Sequence, residues 1–537
     1  MRKAIRRPEG RRYKGGPGRY EGNSMTAGRT FARAGRLLMV AAVMLAGVAG
    51  GAWARPAWAQ AAGTAAGSTL APTPGASANW TSAAAASAAN AGGLDVAEER
   101  KISETVAASG APSVSVAVVE NGKLTYVKAF GKAELDPARA ADVNTRYATG
   151  SISKQFTVVA ILLAAEQGKL SLDDKVSKYF PELTRANEIT VRQLLSHTSG
   201  YEDYAPQDYM IPVWTKPTTP EEILDEWAKK PLDFDPGTKW QYSNTNFVLA
   251  GKIFEKATGE PLVPFLQKNI FGPLGMTTAG DCSVTKTADD AVAYTRYGLG
   301  PARPALREGP GWYFAAGELC MSPSDLAKWD IALLQKKFVS AKSYDEFTRE
   351  VRLANGDYTH YALGLELGAL DNIPTIYHGG EVSGFLAYSY LYPTRDAAVI
   401  ICSNQDGTDL ITPLEQEIAR WVLEPEKREE SAAMANAPRA ELDQVQAIVE
   451  GLQAGKINRA LFTSNANSYF TEAALADFKD SLAPLGKVKS VTRIYAGLRG
   501  GMKARAYHVQ FETKTVTVSA YVTNDGLYEQ FLVIEDF

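Results

Sequence analysis

The sequence predicts an α+β fold: one antiparallel sheet built from distant parts of the chain and flanked by helices, with an inserted, mainly helical subdomain and a separate small C-terminal α+β domain. Three observations predict it. β-rich runs lie at both ends of a long helical stretch, and the helix that opens at Ser151 is apolar nearly all round. Composition then turns to Glu, Lys, Arg, Ala and Pro over residues 424–438, before a second set of helices and strands.

Residues 113–120 and 124–130 alternate apolar with polar or small side chains, and Asn121-Gly122 between them is the strongest short hairpin signal available. From 151 to about 336 helical patterns dominate: 151–167 closed by Gly168, then 191–195, 220–229, 245–258, 262–270 and 322–334. Strands return at 375–378, 385–392 and 397–403, the last two separated by the turn Pro393-Thr394-Arg395-Asp396. After the linker, helix-like 441–453 and 472–482 precede β-rich 488–495, 504–511, 513–522 and 527–534. The expected domains are therefore an export signal at 1–59, a tether at 60–93, a main α+β domain at 94–424, a linker at 425–438 and a small α+β domain at 439–537. The last holds no constellation that points to chemistry, and a packing or binding role is expected for it.

The N-terminus reads as an export signal. Arg29, Arg33 and Arg36 precede an apolar run at 37–53, and Ala52-Trp53-Ala54 or Ala57-Trp58-Ala59 supplies a small-x-small cleavage site. An uncleaved anchor is the alternative, but the run is short for a span. The basic segment before Met25 reads as an extended n-region or a misassigned start, and no cysteine follows the apolar run to mark a lipoprotein. The expectation is a periplasmic or secreted protein with no stable membrane span after cleavage. Residues 60–93 are mostly Ala, Ser, Thr, Gly and Pro without a charge, as a flexible tether would be.

A formal net charge of −3 and the lack of a basic stripe beyond the N-terminal region argue against nucleic acid as a partner. Cys282, Cys320 and Cys402 allow one disulfide at most, with buried free thiols the favoured reading. Their spacing matches no zinc pattern, and the histidines are His197, His360, His378 and His508. No metal or cofactor is predicted.

Ser151-Ile152-Ser153-Lys154 places a hydroxyl and an amine three residues apart at the mouth of an apolar helix, where side chains at i and i+3 share a face. Burial of the lysine would lower its pKa, and a neutral amine can take the serine proton. An ordinary helix start, with Ser as cap and Lys as solvated charge, fits the spacing equally well. Ser283-Val284-Thr285-Lys286 repeats the spacing without an apolar helix and reads as chance.

Tyr242-Ser243-Asn244 follows the turn signal Pro236-Gly237 and precedes a helix. A phenol beside an ammonium would shift toward phenolate and act as a proton shuttle, and the Asn244 amide would orient a substrate carbonyl. The plainer alternative is Ser243 or Asn244 as a helix cap with Tyr242 in the core. His378-Gly379-Gly380 ends an apolar β-run; its glycines would admit a substrate backbone, and the amide at Glu381 would donate to an oxyanion. The plainer alternative there is a strand-end turn with a surface histidine.

Together, in this order and context, the three motifs resemble those of the serine β-lactamase and penicillin-binding-protein superfamily, in its class C-like branch of D,D-peptidases and esterases. The resemblance covers about residues 95–423 and includes the stretches at 189–200, 271–276 and 322–327. It implies that Ser151 attacks the carbonyl, that Lys154 and Tyr242 move protons, and that Asn244 binds the substrate amide. It further implies an oxyanion hole made by the Ser151 and Glu381 N–H groups, beside a substrate edge formed by His378, Gly379, Gly380 and Glu381. His378 stands where many relatives carry the lysine of Lys-Thr-Gly, and Gly379 replaces the threonine. A histidine and a glycine bind a substrate carboxylate more weakly than lysine and threonine, which weighs against efficient β-lactamase activity. His197 reads as structural, in a turn with Thr198 and Ser199.

The leading expectation is an exported serine hydrolase that cleaves an amide or ester through an acyl-enzyme, with D-amino-acid peptides, cell-wall fragments or small esters as substrates. The rivals are a β-lactamase and a non-hydrolysing receptor for penicillin or peptidoglycan fragments, for which an activated nucleophile would be superfluous. No G-x-S-x-G elbow occurs, which disfavours an α/β-hydrolase. Loop 201–214, rich in Tyr, Asp and Pro, is the candidate for setting selectivity.

Overall fold

The computed structural model describes residues 94–371, 373–423, 437–499 and 502–535. The expected export signal and tether, and nearly all of the expected linker, lie outside the described residues. Helix α1 (Val96–Ser109) is capped by Asp95, whose carboxylate accepts from the Ala97 and Glu98 N–H groups while Glu98 reaches back to Asp95 N. The hairpin of β1 (Ser113–Glu120) and β2 (Lys123–Glu134) follows, turned by Asn121 and Gly122, both at positive φ as a tight two-residue turn requires. β3 (Arg139–Ala140) pairs with β2.

The chain then leaves the sheet. β4 (Tyr147–Ala148) leads into a 3-10 turn, Gly150–Ile152, and on into α2 (Ser153–Glu166). Phe156, Val158, Ile161 and Leu162 are buried on all sides of α2, so the helix lies inside the fold, packed against α3 (Asn244–Thr258). Each such side chain contributes roughly 1.5–3 kcal/mol by leaving water. Short strands β5 (Gly280–Asp281), β6 (Tyr294–Thr295), β7 (Arg303–Pro304) and β8 (Leu319–Met321) follow, β4 and β5 both pairing with β8. α4 (Pro323–Leu334) brings the chain back to the sheet.

β9 (Glu366–Leu370), β10 (Ile373–Val382), β11 (Phe385–Tyr392) and β12 (Ala397–Ser403) complete a seven-stranded sheet in the order β3-β2-β1-β12-β11-β10-β9. Every pairing is antiparallel, and β1 against β12 joins the two ends of the domain. On one face Val114, Val116 and Val118 pack with Ile102 and Val106 of α1 and with Leu414 and Ile418 of α5 (Ile411–Val422). On the other, Ala117 and Val119 join the core built around α2, α3 and α4.

The observed elements differ locally from the expectation. β10 runs through His378-Gly379-Gly380 instead of ending there, because Gly379 and Gly380 keep pairing with Tyr388 and Ala387. The helices expected at 220–229 and 262–270 widen into π turns at Leu224–Ala228 and Gln267–Phe271. Cys282, Cys320 and Cys402 are free thiols, the last two buried.

In the C-terminal domain, α6 (Arg439–Gln453) and α7 (Glu472–Leu482) pack on an antiparallel meander of β13 (Ser490–Arg499), β14 (Met502–Gln510), β15 (Thr515–Val522) and β16 (Tyr528–Glu535). Val449, Leu452, Phe478, Val509, Val518 and Phe531 form its core. It docks on the larger domain through polar pairs. Asp208 N donates to Gln530 Oε1 at 2.9 Å, Gln530 Nε2 and Tyr521 Oη donate to Asp208 Oδ2 at 3.0 and 3.2 Å, and Tyr209 Oη donates to Glu529 O at 2.8 Å. Arg303 grips Asp477 with two bonds of 2.8 and 2.7 Å.

Candidate active site

Ser151 lies in the 3-10 turn ahead of α2 rather than on the helix, at 9 % exposure. Two glycines make that position accessible from the sheet. Gly150 has φ +49°, and a Cβ there would sit 2.8 Å from Glu381 N; a Cβ at Gly380 would collide with Thr149 O. The turn therefore lies directly on the edge of β10. That edge is open because β9 pairs with β10 only as far as Tyr377. Thr149 N and Oγ1 both donate to Leu319 O at 2.9 Å, and Leu319 N donates to Ser153 Oγ at 3.1 Å, clamping the turn to β8.

Lys154 is fully buried, with Nζ 2.9 Å from Ser151 Oγ, 2.8 Å from Asn244 Oδ1 and 2.8 Å from Ala316 O. The rings of Tyr242 and Phe247 lie 4.8 and 5.3 Å from the nitrogen. Two of its three partners are carbonyl oxygens, which accept and never donate. They hold two N–H bonds and direct the remaining valence at Ser151, where it is a proton in the ammonium and a lone pair in the neutral amine.

Asn244 opens α3. Ser243 occupies the cap position without a side-chain capping bond, and Asp203 serves instead: its Oδ1 accepts from Asn244 N at 2.9 Å, from Asn244 Nδ2 at 3.2 Å and from Ala205 N at 3.1 Å. The amide is thereby fixed with its oxygen toward Lys154.

Tyr242 corrects one expectation. Its phenol pKa is raised, not lowered, because burial outweighs the nearby Ser151 hydroxyl and the Arg499 cation, which pull the other way. The resting group is a neutral phenol, and its Oη has no hydrogen-bond partner among the described residues. Its ring lies 4.2 Å from that of His197, which is fully buried at φ 58° and accepts from Ser243 N at 3.2 Å through Nδ1. Burial and the charge of Lys154 hold His197 neutral. It buttresses the tyrosine, in keeping with a structural reading.

His378 is fully buried rather than at a surface turn. Burial, with Lys154 adding to it, pushes its pKa down to about 3. Nδ1 lies 2.6 Å from Gly379 O, an acceptor, so Nδ1 carries the proton and Nε2 accepts from Tyr361 Oη at 2.9 Å. A neutral histidine therefore stands at the position where the resembled family often has a cation, and it does not line the pocket in front of Ser151.

That pocket is small, with about 30 Å³ of free space at its centre. Ser151, Tyr242, Asn244 and Glu381 line it together, whereas Gly379 and Gly380 do not. Tyr204 and Trp214, from the loop singled out for selectivity, form an aromatic side with Trp312 and Tyr313. Three charged residues of the site were missed by the sequence reading. Asp203 lies in that loop without a motif, Glu308 accepts from Ser383 N and Oγ at 3.2 and 2.8 Å, and Arg499 comes from the C-terminal domain. No spacing in the sequence links Arg499 to Ser151.

A family model described as Beta-lactamase matches residues 99–420. Penicillin-binding protein 4* of Bacillus subtilis (strain 168) is 29 % identical over 313 residues, covering 54 % of this chain and 68 % of that protein. A D-stereospecific amidohydrolase from Streptomyces sp. superposes with a TM-score of 0.51 at 27 % identity, over 58 % of this chain and 95 % of that one. The octameric penicillin-binding protein homologue from Pyrococcus abyssi shares the fold at 20 % identity and a TM-score of 0.56, over 82 % of this chain and all of that one, more than the catalytic domain alone would supply.

Proposed function

The chain belongs to the Beta-lactamase family, and on that premise we propose that it is an exported serine hydrolase cleaving an amide or ester bond through an acyl-enzyme on Ser151, with D-amino-acid peptides or small esters as substrates. The observation that carries the reading is the 2.9 Å contact between Lys154 Nζ and Ser151 Oγ, with the lysine's other two bonds tied to carbonyl oxygens.

In the first half-reaction neutral Lys154 takes the Ser151 hydroxyl proton as Oγ bonds to the substrate carbonyl carbon. The oxyanion that forms is held by the N–H groups of Ser151 and Glu381, from the turn and strand that the two glycines allow to meet. Collapse breaks the bond to the leaving amine or alcohol, which receives its proton from the Lys154 ammonium by way of the Tyr242 hydroxyl. A water then attacks the ester, giving one proton to the same base; release of the acid returns a proton to Ser151. Asn244 holds the substrate amide and, through Oδ1, keeps Lys154 in place.

Support for D-configured substrates comes from the amidohydrolase relative, named as D-stereospecific. Support for export comes from the basic, apolar and small-residue pattern at 29–59. The neutral state of His378 favours a peptidase or esterase over an efficient β-lactamase.

The test is turnover of D-amino-acid amides, D-alanyl peptides, small esters and a penicillin by wild type and Ser151→Ala. Multiple turnovers of amides or esters that disappear in Ser151→Ala support the reading. A single burst without turnover on every substrate replaces it with the receptor reading, and preferential turnover of penicillin replaces it with a β-lactamase.

A further inference from the structure

Among the described residues lining the pocket, Arg499 is the one basic side chain, and it belongs to the other domain. It is the last residue of β13 and pairs with Met502 of β14, so a hairpin end of the C-terminal sheet reaches the catalytic cleft. Its guanidinium carbon lies 4.8 Å from the centroid of the Tyr242 ring, its Nε is 3.5 Å from Asp203 Oδ2, and the side chain is 3 % exposed. Among the described residues no hydrogen-bond partner meets that Nε. A buried N–H without such a partner carries a desolvation cost that a ligand oxygen would offset.

Asp203 does not serve that purpose well. It already accepts from Asn244 N, Asn244 Nδ2 and Ala205 N, and it stands just beyond good hydrogen-bond length from Arg499. Lys154 is committed to Ser151, Asn244 and Ala316, and His378 is neutral, so neither offers a free cation to a substrate. The pocket's acids are anchored on another wall: Glu308 is bonded at Ser383, beside the end of β10, and Glu381 lies on β10 itself. Arg499 sits on the Tyr242 and Asp203 side. Asp203 and Asp208 are thus the carboxylates whose charge reaches the guanidinium, while Glu308 and Glu381 are tied to the β10 side.

We propose that the C-terminal domain completes the active site by donating Arg499 as the specificity-determining group that binds the carboxylate of a small D-amino-acid peptide. A guanidinium presents a planar fork that suits a carboxylate, and here it is held by the Asp208, Tyr521 and Gln530 contacts that seat the sheet on the catalytic domain. The inference rests on the serine-hydrolase reading for its substrate but not for its measurement, because binding is read without turnover.

Calorimetry with N-acetyl-D-alanine and with N-acetyl-D-alaninamide tests it, with Ser151→Ala as the parent protein, called the wild type at Arg499 below, so that the amide is not hydrolysed during the titration. The acid is expected to bind about ten-fold or more tightly than the amide. Arg499→Gln is expected to bring the ratio of the two dissociation constants to about one, and Arg499→Lys to restore part of it, a pattern that a merely structural role would not produce. Equal affinities in the wild type, or a ratio that survives Arg499→Gln, would overturn the inference; if that variant fails to fold, the wild-type ratio decides alone. Absence of any Ser151-dependent hydrolysis alongside a large acid preference would overturn the hydrolase reading and leave the Arg499 site standing.

Discussion

Lys154 Nζ and Ser151 Oγ are 2.9 Å apart, the lysine fully buried and bonded also to the carbonyl oxygens of Asn244 and Ala316. A base role follows from this arrangement. Lys154→Ala is expected to slow acylation by about 10²–10⁴-fold, the range for loss of a positioned general base. Lys154→Arg is expected to recover little of it, since a guanidinium keeps its proton. Stopped-flow acylation with an activated ester checks both, and an arginine variant acylating at the wild-type rate would exclude the amine as base.

His378 contributes no titration to the working pH range. With its pKa pushed down to about 3, it is neutral from pH 5 to pH 8. Profiles of kcat/KM against pH for wild type and His378→Gln should share their inflections across that interval, whatever their heights. An inflection near pH 6.5 that vanishes in the variant would contradict the buried, neutral assignment.

Asp208 ties the two domains together. Replacing it by alanine leaves Gln530 Nε2 and Tyr521 Oη without this acceptor in a buried interface, an expected cost of about 1–3 kcal/mol. Arg303→Ala breaks the more exposed pair with Asp477, for which about 0–1 kcal/mol is expected. Denaturant unfolding of the two variants should rank them in that order.

Asp330 gives the stability a pH dependence of known sign. It is fully buried with one bond, from Ser389 Oγ at 2.7 Å, and burial raises its pKa to about 8. A raised carboxyl pKa means the folded state holds a proton that the unfolded chain releases above the ordinary value of 3.8. The stability this group provides is present below that value and lost as pH rises through about 8. Asp330→Asn, which cannot ionise, should therefore gain on the wild type between those limits and level off above them. A melting-temperature difference that stays constant from pH 5 to pH 9 would contradict the shift.

The contact between Ser151 and Lys154 was legible because it is local: the two stand at i and i+3, and the apolar run after them announced a buried helix. The hairpin at Asn121-Gly122 was legible for the same reason. What the sequence reading missed depends on burial or on distant contacts. The phenol of Tyr242 was expected to ionise beside a cation, but desolvation, invisible in a string of residues, dominates. The continuation of β10 through two glycines depends on pairing with Tyr388 and Ala387. Asp203, Glu308 and Arg499 carry no motif: Asp203 reaches the site by bonding Asn244, and Glu308 and Arg499 line the pocket only through tertiary contacts, the last through the docking of a second domain.

Mass spectrometry of the protein after incubation with a fluorophosphonate, wild type beside Ser151→Ala, tests the central claim most directly. One adduct per chain is expected, found on the peptide that contains Ser151 and absent from the variant. Equal labelling of the two proteins, or an adduct on another residue, would contradict it.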